Sequence, residues 1–132
     1  PYWKETIRLI KNKIPAAQII QTGLESEPII EGINEVAFNY GPKKLLKLAQ
    51  ESNAWISVDS FFQHLAWDEG KPGIVLWSVS DPLIYGHPEN VNLLKHRDYL
   101  APNQFLHWDY TPFKAEAFVE PHEVINHLTR FS

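Results

Sequence analysis

The sequence predicts an α/β domain of three layers, with helices on both faces of a mainly parallel sheet, and three observations carry that expectation. Short apolar runs alternate with amphipathic stretches of helical period along most of the chain. The run Gly73-Ile74-Val75-Leu76-Trp77-Ser78 is apolar at successive positions, as a strand covered on both faces must be. It is preceded by a second short strand, Trp55-Ile56-Ser57-Val58, and by a helical stretch over 61–69, and two strands joined by one helix make a right-handed crossover unit.

In chain order, Trp3, Ile7, Ile10 and Ile14 recur at helical spacing with Lys4, Glu5, Arg8 and Lys11 between them, so residues 2–13 read as an amphipathic helix closed by Pro15. Residues 18–22 read as the first strand. The loop 23–28 follows, with Glu25 and Glu27 as either a solvated acidic surface or sugar-hydroxyl ligands. Residues 35–39 read as the second strand. Pro42 suits a first helical turn, and Leu45, Leu46, Leu48 and Ala49 give the helix behind it a buried side. Its basic residues Lys43, Lys44 and Lys47 read either as a solvated face or as a contact for an anion. Asp59-Ser60 is placed as a helix N-cap, with Phe62, Leu65 and Ala66 as the inward face of the helix it starts. Gly70 ends that helix and Lys71-Pro72 turns the chain. Residues 83–90 read as a long loop and residues 91–94 as a last edge strand. From Lys95 to Glu120 the chain is aromatic (Tyr99, Phe105, Trp108, Tyr110, Phe113, Phe118) without a clear period. Pro121 then opens a final helix with Val124, Ile125, Leu128 and Phe131 as its stripe.

Composition narrows the function classes. The chain has 132 residues, a length for one domain, and its 44% hydrophobic content can fill one core. A net charge of −4 opposes binding along a nucleic acid, which needs a basic stripe, but leaves room for a single phosphate pocket. There is no cysteine, hence no disulfide framework or thiolate metal site, which fits a reducing compartment. No apolar run approaches the ~20 residues of a membrane span.

In a parallel crossover unit the carboxyl ends of the strands and the helix N-terminus meet at one edge, where unpaired amides favour an anion. Asp59, Ser60 and the residue four positions on, His64, lie there, and Ser80-Asp81-Pro82 ends the next strand at the same edge. Read from spacing alone, Ser60 and His64 are equally a cap and a histidine of the helix–sheet interface, and Asp81 a turn-former. Other chemistries lack their motifs. His122 and His127 are five apart, whereas a zinc-binding helix needs four. No Asp-x-Asp pair, serine elbow, P-loop or dinucleotide glycine motif is present.

The order Asp59-Ser60, His64-Leu65-Ala66, Gly70-Lys71-Pro72, an apolar strand and Ser80-Asp81-Pro82 resembles the C-terminal half of family 9 glycosyltransferases, the lipopolysaccharide heptosyltransferases. The resemblance follows most of the chain in element order, and its tight motifs lie within 59–82. It implies a Rossmann-like domain, one half of a GT-B architecture, that binds a nucleotide-sugar donor such as ADP-heptose. It implies diphosphate contacts from Asp59, Ser60 and His64, with Ser80 and Asp81 nearby. Phe61 stands where the family has glycine, and Lys43 where it has a ribose-binding glutamate. The activity implied is an inverting, metal-independent and cofactor-free transfer in surface-glycan synthesis, on a glycan or lipid-linked acceptor. The implied setting is cytoplasmic, with peripheral membrane association compatible. The catalytic base would come from an N-terminal domain outside these residues, so the chain is expected to be a fragment that turns over little alone. Two alternatives stay open: a GT-B-like carbohydrate-binding or protein-interaction module without catalysis, and a sugar-nucleotide epimerase of the same architecture.

Overall fold

Strand β4 (Ile74–Trp77) is buried at every position. Successive strand residues point to opposite faces, so Ile74 and Leu76 enter one apolar cluster while Val75 and Trp77 enter another. The computed structural model describes residues 2–101, 104 and 115–128. Its elements, in order, are α1 (Tyr2–Lys13), β1 (Ile20–Gly23), β2 (Glu35–Phe38), α2 (Pro42–Glu51), β3 (Ile56–Val58), α3 (Phe61–Asp68), β4, α4 (Pro82–Tyr85), β5 (Val91–Leu94) and α5 (Pro121–Leu128). Single 3-10 turns occupy Arg97–Tyr99 and Ala115–Ala117.

Helices α1 and α5 cover the face carrying Ile74 and Leu76. Ile10 of α1 and Val124, Ile125 and Leu128 of α5 meet Phe118 and Val119 there. Tyr2 ties α1 down by donating its hydroxyl to the Val119 carbonyl at 2.8 Å, and burial, reinforced by Glu120 and Glu123, pushes its phenol up to about 12. On the opposite face Ala49 of α2 and Ala66 of α3 close over Val75 and Trp77, with Trp55 and Phe62 beside them. Each large side chain so buried stabilises the fold by about 1.5–3 kcal/mol relative to exposure. The result is the expected α/β arrangement of helices on both faces of parallel strands.

Strands β3, β4 and β5 pair in parallel in that order, with Val58 opposite Leu76 and Leu76 opposite Leu93. Strands β1 and β2 form a second parallel pair, from Ile20 opposite Glu35 to Gly23 opposite Phe38. The strands therefore form two hydrogen-bonded sheets where the sequence suggests one. β3 is three residues long and does not pair with β1. Residues 82–85, expected within a loop, make a helical turn, because Pro82 pre-sets its first position and the Asp81 carboxylate accepts the Leu83 amide. Phe105, Trp108, Tyr110, Phe113 and Phe131 lie outside the described residues.

The crossover from β3 to β4 closes on Trp55. Its indole N–H donates to the Lys71 carbonyl at 2.9 Å, its ring meets Phe62 edge-on at 5.3 Å, and the Lys71 ammonium donates to the Ser52 carbonyl at 2.7 Å. The ring lies directly against Gly73, where an added Cβ would stand 2.2 Å from Trp55 Cε2. We predict that Gly73→Ala destabilises the chain by about 2 kcal/mol through this overpacking. Urea denaturation followed by tryptophan emission measures it, and a midpoint equal to wild type would show that the ring is not held there.

Candidate functional site

Parallel pairing decides which turns share an edge. The residues after β3, β4 and β5 all leave from the carboxyl ends of their strands, so Asp59-Ser60, Ser78 to Asp81 and Lys95 to Arg97 converge. This is the edge expected to receive an anion.

Ser60 occupies the N-cap position of α3 in extended conformation, but its side chain makes no bond to a helix amide. The Ser57 hydroxyl donates to the Val58 carbonyl at 2.6 Å, which spends its proton. The Ser60 hydroxyl, 3.0 Å from Ser57 Oγ, is therefore the donor of that pair. It faces the strand, and the first-turn amides of α3 are left uncapped by it. The Asp59 side chain turns along the helix rather than outward: its Oδ1 accepts the Gln63 amide N–H at 2.6 Å. Gln63 is fully buried, and its Oε1 has no hydrogen-bond partner among the described residues.

The two phenylalanines separate. Phe62 packs inward against Trp55, whereas Phe61 is 62% exposed. In the Asp59-Ser60 turn beside them, Asp59 is exposed and Ser60 half-buried. Lys43 is exposed in the first turn of α2, beside Lys44, whose ammonium lies over the Tyr40 ring at 5.3 Å. Both loop acids are exposed, and Glu27 turns back on its own loop, its Oε1 accepting the Leu24 amide at 3.0 Å.

Asp81 is 6% exposed and already engaged. Arg97 forks onto it, NH2 to Oδ2 at 2.6 Å and NH1 to Oδ1 at 3.3 Å, while Oδ1 also accepts the Leu83 amide. These bonds, the Arg97 fork first, hold its carboxyl below the ordinary carboxylate range. Gln104 braces the same turn: its Oε1 accepts the Asp81 amide at 2.9 Å, its Nε2 donates to the Val79 carbonyl, and its own carbonyl accepts the Tyr85 hydroxyl. Ser80 lies half-buried between them.

His64 is exposed, and its Nδ1 meets Nε2 of His87 at 2.7 Å. His87 in turn stacks on Trp67, with centroids 4.2 Å apart and planes 9° from parallel, and the Trp67 indole donates to Glu89 at 3.1 Å. The structure thus brings Asp59, Ser60, Ser80 and Asp81 to one edge, sets Phe61 at its rim, leaves Lys43 on the neighbouring helix and engages one nitrogen of His64 with a second imidazole. Arg97 and His87 carry no motif of their own. A signal for Arg97 was available, since it closely follows a parallel strand and such residues reach the carboxyl edge.

Among the described residues no cluster of three or more His, Cys, Asp or Glu is placed to hold a metal. No helix described is long and apolar enough to cross a membrane. A shallow hollow of about 330 Å³ lies on another face, between α1 and α5, lined by Leu9, Asn12, Lys13, His122, Ile125 and Asn126. Compared with known proteins, the chain matches no family model, no curated protein and no solved structure.

The Asp81–Arg97 pair has a pH signature. A carboxylate held below its ordinary value contributes stability that is fully present above about 3.8 and lost as pH falls through the lower folded value. Asp81→Asn should therefore unfold at lower denaturant than wild type at pH 7, with the difference shrinking in acid below that value. Denaturant midpoints taken across the acid range test this, and a difference that does not change with pH would deny the linkage.

Proposed function

We propose that this chain binds the donor of a glycosyl transfer, a sugar nucleotide, as one half of a two-domain GT-B enzyme of the family 9 type. The observation that supports this best is the Asp59-Ser60 turn at the carboxyl edge of parallel strands, with the first-turn amides of α3 behind it and Phe61 turned out to solvent. Breaking the bond between sugar and nucleoside diphosphate develops negative charge on the leaving phosphate. Preorganised amides and an imidazole N–H stabilise that charge without a metal. In this reading the amides after Ser60 and the outer nitrogen of His64 meet the diphosphate, and Ser80 lies at the next strand end. Lys43 sits on the next helix to meet donor charge, and Phe61 borders the site. Asp59 and Asp81 orient their turns, each carboxylate already held by a donor from the protein. The acceptor, a glycan or a lipid-linked glycan in surface-polysaccharide synthesis, and the base that deprotonates it belong to a second domain, and the whole would work in the cytoplasm.

A second reading is a non-catalytic carbohydrate- or protein-binding module of the same fold. The exposure of Phe61 and of α4, where Leu83 is 83% and Ile84 42% exposed, favours it. Such apolar surface suits contact with another macromolecule.

Titration of the chain with ADP, UDP and GDP, followed by amide shifts, separates the two. One nucleotide at millimolar concentration should move the amides of Ser60 and Phe61, and His64→Ala should weaken it by about tenfold with the fold intact. If all three nucleotides leave those amides unmoved while an oligosaccharide or a protein shifts Phe61 and Leu83, the module reading stands and the donor reading falls.

A further inference from the structure

Helix α3 presents His64 and, three residues on, Trp67 from one face, both exposed, and the ring of His87 lies against both of them. Nδ1 of His64 stands 2.7 Å from Nε2 of His87, with the rings edge-on at 82° and their centroids 4.9 Å apart. Two imidazole nitrogens facing one another at that distance cannot both present lone pairs, nor both present protons. An electropositive centre has to lie between them. A single shared proton satisfies this, and so does a divalent cation that takes both lone pairs.

The distances suit a cation. A zinc-class ion sits ~2.0–2.1 Å from an imidazole nitrogen, so two such ligands at a right or tetrahedral angle stand roughly 2.9–3.3 Å apart. The pair reaches that separation by opening a few tenths of an ångström. His64 is free to do so, being exposed and making no other hydrogen bond among the described residues. Its partner is fixed. His87 lies between Gly86, whose amide donates to the Pro82 carbonyl at 2.9 Å, and Pro88, which restricts the backbone before it. The His87 carbonyl accepts the Asn92 side-chain amide at 2.9 Å and the Asn90 backbone amide at 3.0 Å, and Asn92 in turn accepts the indole N–H of the core residue Trp77. The His87 ring is stacked on Trp67 at 4.2 Å, and that indole donates to Glu89 at 3.1 Å. One anchored ligand and one adjustable ligand admit an ion without moving the fold. The surroundings are acidic as well: Glu89 is exposed beside Trp67, and Asp68, also exposed, follows His64 by four on α3 and so shares its face.

We propose that His64 Nδ1 and His87 Nε2 form a two-histidine site for a divalent cation of the zinc, nickel or copper class, which bridges α3 to the connection between β4 and β5 and keeps water in its remaining positions. Imidazole nitrogen selects these ions over magnesium or calcium, which favour oxygen. Metal entry moves the bridging proton to the far nitrogen of the ring that holds it, so above the ordinary imidazole value of about 6.5 no proton is released; below it, protons compete for both ligands. With two protein ligands the site is open and exchangeable, unlike a closed structural centre. It is independent of the donor reading, which uses the other nitrogen of His64.

The test titrates zinc chloride into the whole chain, labelled with 15N-histidine, at roughly pH 7.5 and without nucleotide. One equivalent should bind. The ring resonances of His64 and His87 should move together, ahead of those of His96, His122 and His127, and magnesium at the same concentration should move none. Losing a ligand costs at least as much as losing a ligand's supporting partner, so His64→Ala and His87→Ala should each weaken zinc binding by about 10–100-fold, while His122→Ala leaves it unchanged. Zinc at millimolar concentration that moves neither ring overturns the proposal, as does zinc that gathers first at another histidine, and both are read on the wild-type chain whether or not the variants fold. Unchanged affinity in a folded His64→Ala overturns it too. Because no nucleotide is present, failure here leaves the donor reading untouched, and failure of the ADP, UDP and GDP titrations leaves the metal site untouched.

Discussion

Everything in this fold depends on the two-sided burial of one strand. β4 places Ile74 and Leu76 under α1 and α5 and Val75 and Trp77 under α2 and α3, all at 0–1% exposure. Because the side-chain period of a strand is two, a slip of one residue would exchange the two sets and put the Trp77 indole into the layer built for Leu76. The Trp77 N–H, fixed to Asn92 Oδ1 on β5, adds a polar constraint to the same register. With β4 fixed, the parallel neighbours β3 and β5 are fixed too, and their carboxyl ends are forced to a common edge.

That constraint is why polar turns distant in sequence become a site. Gln104 and Arg97 both reach back to the 79–81 turn, and Ala101 N–H donates to the Val79 carbonyl at 2.8 Å, so the chain beyond β5 is folded over the end of β4. The turn is held from four directions: the strand behind it, α4 ahead of it, Arg97 and Gln104. By contrast, among the described residues the Asp59-Ser60 turn is held by Gln63 and Ser57, and Asp59 is exposed. One edge therefore pairs a braced turn with an accessible one, a division that suits a rigid wall beside a binding turn.

Much of this was legible in the sequence. The continuous apolar run 74–77 marked the central strand, Pro42 and Pro121 marked helix starts, and Gly70, at φ 71°, ended α3 where only a glycine adopts that angle without strain. Less legible were features made by contacts across the fold. Gln63 carries no apolar mark in the sequence, yet it precedes Ala66 by three, shares its inward face and is buried with its amide N–H on Asp59. His87 follows His64 by 23 residues, and no local period links them. The Asp81–Arg97 pair spans β5 in the same way. The one-turn helix α4 was hidden for a different reason: a single turn has no amphipathic period, and only its Asp-Pro start betrays it.

In the donor-binding reading, the charge at the edge decides how an acidic turn could stand beside an anion. Two carboxylates near a bound diphosphate would each oppose it, and at an effective dielectric constant of about 20 a like charge at 4 Å costs on the order of 4 kcal/mol. The Arg97 fork neutralises Asp81 as a pair, so that carboxylate costs the edge little. Among the described residues Asp59 has the neutral Gln63 amide as its partner and no cation. Attraction would then come from dipoles, the first-turn amides of α3 and a histidine N–H, and from Lys43 on α2, because Arg97 is already committed. Dipoles of this kind contribute a few tenths to about 1 kcal/mol each. In the donor-binding reading, an edge so balanced would hold a diphosphate loosely on its own and gain its affinity from whatever surface closed over it.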